Sequence, residues 1–511
     1  MKIQIAQLNP KTLDFEANLA KVNDALAKVN SDVLTLFSEL TLSGSPLHAT
    51  ADYDDTYKQA SAAAERLCAQ TKDCIIGMPT SDGVNKYNSL AFVVKGELTD
   101  LATKKNLNSF DSSFSKGDGF EVTQYEGETV AFGFEEDFED FVLRQQKADV
   151  IICVANNVFE VNKQQQTINK FIVPIRKMAC RFVYVNRCGA EGSYIFNGGS
   201  FVLNEKGILC EQLPLFEEQT KVVEMGSLSA VIQSPMGRIE KMCHAVTLGL
   251  RDYFSKNSIS KAVIGLSGGI DSALVAAIAV RAIGSQNVIG VLLPSEFSTE
   301  HSLKDARDLA NNLQIKSYTI PIQPMFELSL QSLDEIFANT ERGLAEENMQ
   351  ARIRCQILMG LANKIGGVLL NTSNKSETAV GYGTLYGDTS GGIGILGDIY
   401  KIDVWEMAKW LNKDAILIPE NSISKAPSAE LSFDQKDSDS LPEYELLDKI
   451  LHLYIEGKQD KEQIIAAGYD SQVVNKVLRL VRINEWKRHQ YCPCLKLSER
   501  TLTIDRLMPI S

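Results

Sequence analysis

The chain has 511 residues, of which 52 are Lys or Arg and 65 Asp or Glu, a formal net charge of −13, and 44% hydrophobic residues. That length exceeds one ordinary core and predicts two or three domains, and the negative balance argues against a general nucleic-acid binder, which needs a broad basic surface. No run of about eighteen apolar residues is present to span a bilayer, so a membrane protein is not expected, and Met1 to Leu8 alternates like a strand rather than a secretory leader, which predicts a cytoplasmic product. After that strand, Phe15, Leu19, Val22, Leu26 and Val29 recur at three- and four-residue steps and predict an amphipathic helix. Apolar, β-branched runs at 33–37, 91–94, 150–154, 182–185 and 201–203 then predict the strands of a mixed α/β layered domain over 1–215. Residues 216–238 read as a linker. Helical periodicity resumes over 239–254 and opens a second domain, 239–511.

That second domain alternates strand and helix: strand 262–265, glycine-rich turn, helix 272–283, strand 288–293, helix 302–313, strand 317–320, and a later strand 367–370. The order predicts a doubly wound parallel sheet, in which ligands bind at the carboxyl ends of strands. The turn is Gly265-Leu266-Ser267-Gly268-Gly269-Ile270-Asp271-Ser272. Its glycines let backbone N–H groups approach phosphate oxygens, the following helix aims its positive end at the same anion, and Asp271 can hold Mg²⁺. An anionic ligand in so acidic a chain must meet local cations, and Arg352, Arg354, Lys375, Lys401, Lys425, Lys487 and Arg488 are the candidates.

The ten cysteines are scattered and predict buried thiols, and Cys492-Pro493-Cys494 lacks the second pair or nearby histidines that zinc requires.

Ser267-Gly268-Gly269-Ile270-Asp271-Ser272 resembles the pyrophosphate loop of the ATP pyrophosphatase group, whose members activate a substrate by adenylation. Downstream, Glu347 to Arg354, Thr372 to Glu377, Val380 to Asp388, Asp398 to Lys401, Lys425 to Leu431, Leu441 to Tyr444 and Asn484 to Arg488 together resemble NAD synthetase. The resemblance implies a Rossmann-like, adenine nucleotide alpha hydrolase domain in which Gly265 to Ser272, Thr372, Lys401 and Ser428 contact ATP. It also implies that Asp271 and Glu377 bind Mg²⁺, that Asp271, Glu377 and Lys401 are catalytic, and that Asn348, Arg352, Glu377, Asp388, Asp398 and Lys487 contact deamido-NAD. Arg354 and Arg488 read instead as surface or capping residues. The implied reaction joins the nicotinate carboxylate to the ATP α-phosphorus, expels pyrophosphate, and lets ammonia displace AMP to give NAD.

Residues 1–215 resemble the nitrilase-like glutaminase domain fused to such synthetases, an α/β/β/α sandwich with a Glu-Lys-Cys triad, and the fusion points to the glutamine-dependent NAD synthetases. The glutamate motif Phe37-Ser38-Glu39-Leu40-Thr41 gives Glu39. Thr103-Lys104-Lys105-Asn106 gives Lys104, with Lys105 as the alternative. The expected Cys-Glu-Asp reads Glu135-Glu136-Asp137, which puts Glu135 at the nucleophile position, and Asn156-Asn157 stands where Ser-Pro is usual. A carboxylate lacks the reactivity of a thiolate, so glutamine hydrolysis is expected to fail, with Cys153 and Cys188 read as structural. The sequence therefore predicts an ammonia-using NAD synthetase with a silent glutaminase domain. Glutamine use through a non-standard nucleophile or a partner glutaminase, and a non-catalytic nucleotide-binding assembly protein, stand as alternatives. By the resemblance a homo-oligomer is expected.

Overall fold

The computed structural model describes every residue except Gln233, Ala429, Asp434, Lys436, Leu507 and Ser511, and the chain forms two units, Met1–Pro235 and Met236–Ser511. Ala429 of the expected Lys425 to Leu431 motif thus lies outside the described residues.

The first unit runs β1 (Lys2–Gln7), α1 (Phe15–Ala27), β2 (Val33–Phe37), α2 (Asp54–Cys68), β3 (Cys74–Ser81), β4 (Lys86–Val94), β5 (Glu97–Thr103), β6 (Glu121–Tyr125), β7 (Glu128–Phe134), α3 (Phe138–Leu143), β8 (Val150–Ala155), α4 (Lys163–Met178), β9 (Arg181–Asn186), β10 (Cys188–Glu191), β11 (Tyr194–Asn197), β12 (Phe201–Leu203), β13 (Leu209–Gln212) and β14 (Gln219–Glu224). Two six-stranded sheets result, ordered β14-β1-β2-β3-β4-β5 and β13-β12-β9-β8-β7-β6, with β10 and β11 forming a separate hairpin. Because strand side chains alternate, each sheet has two apolar faces to cover. Ile3, Ile5, Leu34, Leu36 and Phe92 of the first sheet meet Phe132, Phe134, Ile152, Val154 and Val185 of the second in one core. The outer faces pack on helices, with Leu19, Val22 and Leu67 covering one sheet and Phe138, Phe171 and Ile175 the other. The expected α/β/β/α sandwich is therefore observed.

One expectation is corrected. The segment over 216–238 is not wholly a linker, since Gln219–Glu224 pairs antiparallel with all of β1, Lys2 opposite Glu224 and Gln7 opposite Gln219. Its polar sequence hides the strand because β14 is an edge strand with most side chains exposed, so only Val223 is buried and no apolar run marks it.

The second unit runs α5 (Arg238–Lys256), β15 (Ala262–Gly265), α6 (Ile270–Ile283), β16 (Val288–Leu292), α7 (Glu300–Asn312), β17 (Lys316–Thr319), α8 (Gln323–Ser332), α9 (Asp334–Phe337), α10 (Leu344–Ile365), β18 (Val368–Asn371), α11 (Lys375–Val380), β19 (Ile393–Gly394), α12 (Lys401–Leu411), α13 (Glu420–Ser424), α14 (Tyr444–Ile455), α15 (Lys461–Ala466), α16 (Ser471–Ile483) and α17 (Glu485–Arg488). Its five strands are all parallel in the order β17-β16-β15-β18-β19. Strand order reverses beside β15, so the chain leaves β15 and β18 in opposite directions and opens a crevice at their carboxyl ends. Helix α6 begins at Ile270, two residues before the expected start, which places Asp271 in its first turn, where a carboxylate is favoured by the helix dipole.

Candidate functional site

The crevice holds the glycine-rich turn. Gly268 has φ +81°, and a Cβ there would fall 2.4 Å from the Ser302 carbonyl oxygen, so only glycine permits this approach to α7. The turn is braced internally: the Ser272 hydroxyl donates to the Gly269 carbonyl at 3.1 Å and receives the Ser267 N–H at 3.3 Å, while Ser267 Oγ receives the Gly269 N–H at 3.2 Å.

Three charged groups from distant parts of the chain meet beside it. Lys401 Nζ lies 2.5 Å from Asp271 Oδ2 and 3.3 Å from Glu377 Oε1. Asn374 donates to Asp271 Oδ1 at 2.9 Å and caps α11 by accepting the Glu377 N–H at 3.0 Å, which fixes the Glu377 backbone. Burial, together with the nearby Asp271 charge, pushes the Glu377 carboxyl up to about 8 despite the opposing Lys401. Burial disfavours the Lys401 ammonium, yet Asp271 and Glu377 hold its pKa above the ordinary lysine value. Asp271, Glu377 and Lys401 line a cavity of about 290 Å³ together with Thr372, Ser428 and Asp388. Among the described residues no group of three His, Cys, Asp or Glu is placed to hold a metal ion. Two carboxylates facing a phosphate-sized cavity nonetheless suit Mg²⁺, which is commonly bound by one or two carboxylates plus substrate phosphates.

Four of the residues expected at deamido-NAD gather on one segment next to the cavity. Asn348 accepts from Thr384 Oγ1 at 2.6 Å, Arg352 Nε donates to the Leu385 carbonyl at 3.1 Å, Lys487 donates to the Gly381 and Gly383 carbonyls at 3.0 and 3.1 Å, and Asp388 accepts the Thr384 N–H at 2.6 Å. Asn348, Arg352 and Lys487 thus hold the 381–388 segment, while Asp388 itself faces the cavity.

Asp398 departs from expectation. Its side chain is fully buried, 2.7 Å from Lys375 Nζ, and it accepts the Leu497 and Ser498 N–H groups and the Ser498 hydroxyl. With both oxygens committed to the protein it anchors the C-terminal segment instead of meeting substrate.

Arg354 departs in the other direction, lining the cavity with Nε donating to Leu293 O and Nη2 to Ser295 Oγ, and with burial lowering its guanidinium to about 10. A sequence signal for it existed. Ala351, Arg354, Cys355 and Leu358 all line the cavity at helical steps of three and four, a stripe from which Arg352 is displaced. Arg488 is structural, as expected, donating to Ala379 O at 2.6 Å and pairing with Glu485 at 2.6 Å.

A second constellation lies in the first unit, where Glu39, Lys104 and Glu135 each follow the carboxyl end of a strand. Lys104, not Lys105, stands beside Glu39: its fully buried ammonium lies 2.9 Å from Glu39, 2.9 Å from Asp111 and 3.0 Å from Glu136. Lys105 turns away to Asp140 at 2.5 Å. Asp111, a member the sequence reading missed, shares the Asn88 amide with Glu39, at 3.0 and 2.6 Å. Burial pushes Glu39 up to about 8 in spite of Lys104. Glu135 points elsewhere, accepting from Asn157 Nδ2 at 2.5 Å and Tyr184 OH at 2.7 Å, with Lys170 at 3.4 Å. Cys153 lies on the helix-covered face of its sheet with Phe138 and Phe171, whereas Phe134, whose ring sits under Lys104, belongs to the inter-sheet face. Period-two alternation thus separates this thiol from Lys104, and burial raises its pKa far above that of a reactive cysteine.

A carbon–nitrogen hydrolase sandwich followed by an adenylating parallel-sheet domain defines a two-part amide-forming class. The family models agree, Carbon-nitrogen hydrolase matching residues 2–233 and NAD synthase residues 242–491. Among similar proteins, the glutamine-dependent NAD(+) synthetases of Xylella fastidiosa (strain Temecula1) and Thermotoga maritima are 38% and 35% identical, covering 97% and 100% of this chain and 95% and 98% of their own lengths. The Synechocystis enzyme of that name is 45% identical over 64% of this chain, and the chain spans 60% of its length in that match. The solved ADP complex of the Acinetobacter baumannii glutamine-dependent NAD+ synthetase superposes with a TM-score of 0.80 at 31% identity, covering 100% of this chain and 98% of that one. The chain belongs to the glutamine-dependent NAD synthetase family.

Proposed function

We propose that this protein makes NAD from deamido-NAD, ATP and ammonia, and that its own first unit does not supply the ammonia. The observation that carries the synthetase half is the meeting of Asp271, Glu377 and Lys401 beside the Gly265 to Ser272 turn, at the switch point of a parallel sheet. The turn's N–H groups and α6 receive the phosphates of ATP, and Thr372 and Ser428 border the nucleotide. Asp271 and Glu377 would hold Mg²⁺, which supplies charge neutralisation at the phosphates. Lys401, already fixed by both carboxylates, adds a cation to the charge that develops as the nicotinate carboxylate bonds to the α-phosphorus and pyrophosphate departs. Asp388 and the segment held by Asn348, Arg352 and Lys487 border the deamido-NAD side. The mixed anhydride then accepts the ammonia lone pair at its acyl carbon, AMP leaves with the bonding electrons, and nitrogen loses its extra proton.

The family name points to glutamine as nitrogen donor, and the Glu39–Lys104 pair is retained. Against that donor, position 135 carries a carboxylate tied to Asn157 and Tyr184, and the Lys104 ammonium donates to Glu39 and Glu136 with Asp111 2.9 Å away. Among the described residues no thiol meets the pair, and the Lys104 ammonium is held by carboxylates instead of standing open to an oxyanion. Purified protein supplied with ATP, Mg²⁺ and deamido-NAD is expected to form NAD and pyrophosphate with ammonium, and at least about a hundredfold more slowly with glutamine. Comparable rates from the two nitrogen sources would overturn the ammonia-only reading and leave the synthetase reading intact; no pyrophosphate with either would overturn both.

A further inference from the structure

An ion pair on the rim of the synthetase cavity has no part in the reaction as described. Lys425 and Glu430 both line the cavity, with Lys425 Nζ 2.6 Å from Glu430 Oε1. The same carboxylate oxygen accepts from Ser302 Oγ at 2.6 Å and Thr299 Oγ1 at 3.2 Å, and its second oxygen accepts the Thr299 N–H at 3.4 Å. Lys425 also donates to Ser302 Oγ at 2.5 Å. One ammonium, two hydroxyls and a backbone N–H are the donors that phosphoryl oxygens take. They sit directly behind the glycine turn, since the Ser302 backbone is the surface against which Gly268 packs, and Ser422 Oγ donates to the Gly268 carbonyl at 3.0 Å.

We propose that Glu430 is an internal substitute for pyrophosphate. When the phosphate end of ATP is seated, Lys425 and the Thr299 and Ser302 hydroxyls pass from the carboxylate to phosphoryl oxygens. When pyrophosphate is to leave, the carboxylate reclaims them. Each donor is paired in both states, so the exchange avoids the cost of stranding a half-buried cation or hydroxyl. The carboxylate carries less charge than pyrophosphate and competes without excluding it, which keeps the product from binding too well. Lys425 is thereby a pyrophosphate-contacting residue and Glu430 the residue that tunes release. This inference rests on the cavity being the ATP site.

Calorimetric titration of the full chain with inorganic pyrophosphate tests the exchange without turnover. Glu430→Gln is expected to bind pyrophosphate about tenfold more tightly, and Lys425→Met about tenfold more weakly, with Lys425→Arg close to the parent and AMP affinity unchanged in all three. In turnover, Glu430→Gln should show pyrophosphate inhibition at correspondingly lower concentration. The double variant decides between exchange and a merely structural latch, because the gain from Glu430→Gln should vanish when Lys425 is Met. Unchanged or weaker pyrophosphate binding by a folded Glu430→Gln, a gain that persists without Lys425, or a parent chain that does not bind pyrophosphate would each overturn the proposal. Should Glu430→Gln fail to fold, Glu430→Asp, which shortens the reach to Lys425, is expected to tighten pyrophosphate a few-fold, and no tightening overturns the proposal. A parent that binds pyrophosphate yet releases none from ATP and deamido-NAD would instead overturn the assigned reaction.

Discussion

The Lys104 ammonium donates to Glu39 and Glu136 at 2.9 and 3.0 Å and has the Asp111 carboxylate 2.9 Å away, three acidic partners around one cation. Restoring a thiol beside it therefore does not restore a glutaminase. Glu135→Cys is expected to leave glutamine hydrolysis at background, and a substantial rate, followed as glutamate release, would contradict this reading. Asp271→Ala should abolish NAD formation, because it removes a carboxylate from the phosphate site and half of the clamp on Lys401, whereas Cys153→Ala should change it little. A large loss in the latter with glutamine as the nitrogen source, the ammonium-supported rate being kept, would make Cys153 a working residue after all. What the sequence revealed at this scale follows from where the chemistry is written. Contiguous motifs announced the Gly265 to Ser272 turn, Glu39 and Lys104 because each motif sits at one strand end. Arg354 and Asp398 escaped because their roles depend on which way α10 turns and on the C-terminal segment that seats over Asp398, neither of which neighbouring residues encode.

Helix α11 shows how an element is held in place for the site. Its first residue, Lys375, is fully buried with its ammonium within 2.5–2.9 Å of Asp398, Glu456, Ser498 Oγ and the Arg500 carbonyl, tying α11 to the end of α14 and to the C-terminal segment. Glu377, two residues on, owes its position to this anchor and to the Asn374 cap. Lys375→Met would leave Asp398 and Glu456 buried without their cation and should cost about 3–5 kcal/mol of unfolding free energy, read from urea denaturation. A loss below about 1 kcal/mol would mean the network is dispensable. Element by element, alternation and helical spacing placed β15, α6, β16, α7 and β18 within two residues of their observed starts, since these elements are buried on one or both faces. The edge strands β14 and β17 carry little burial signal, and for that reason the sequence of the first predicts a linker.

Across the whole chain, all ten cysteines are free thiols, eight of them buried and Cys68 and Cys492 partly exposed. Burial raises both of these, Cys492 to about 12, so even they are poor nucleophiles at neutral pH. A thiol reagent should therefore label the native protein slowly at no more than two sites and all ten after unfolding, and added reductant should leave the melting temperature unchanged; rapid native labelling beyond two, or a reductant-sensitive melt, would contradict the assignment. Among the described residues no helix is long and apolar enough to cross a membrane. The pairing of β14 with β1 has a consequence for synthesis of the chain. Strand β1 receives its antiparallel neighbour only after more than two hundred further residues have emerged from the ribosome. Until then one edge of β1 offers open hydrogen-bonding groups to any passing strand. A nascent chain of this kind gains from chaperone shelter during that interval, and a gene cut after residue 215 would leave the edge uncovered for good.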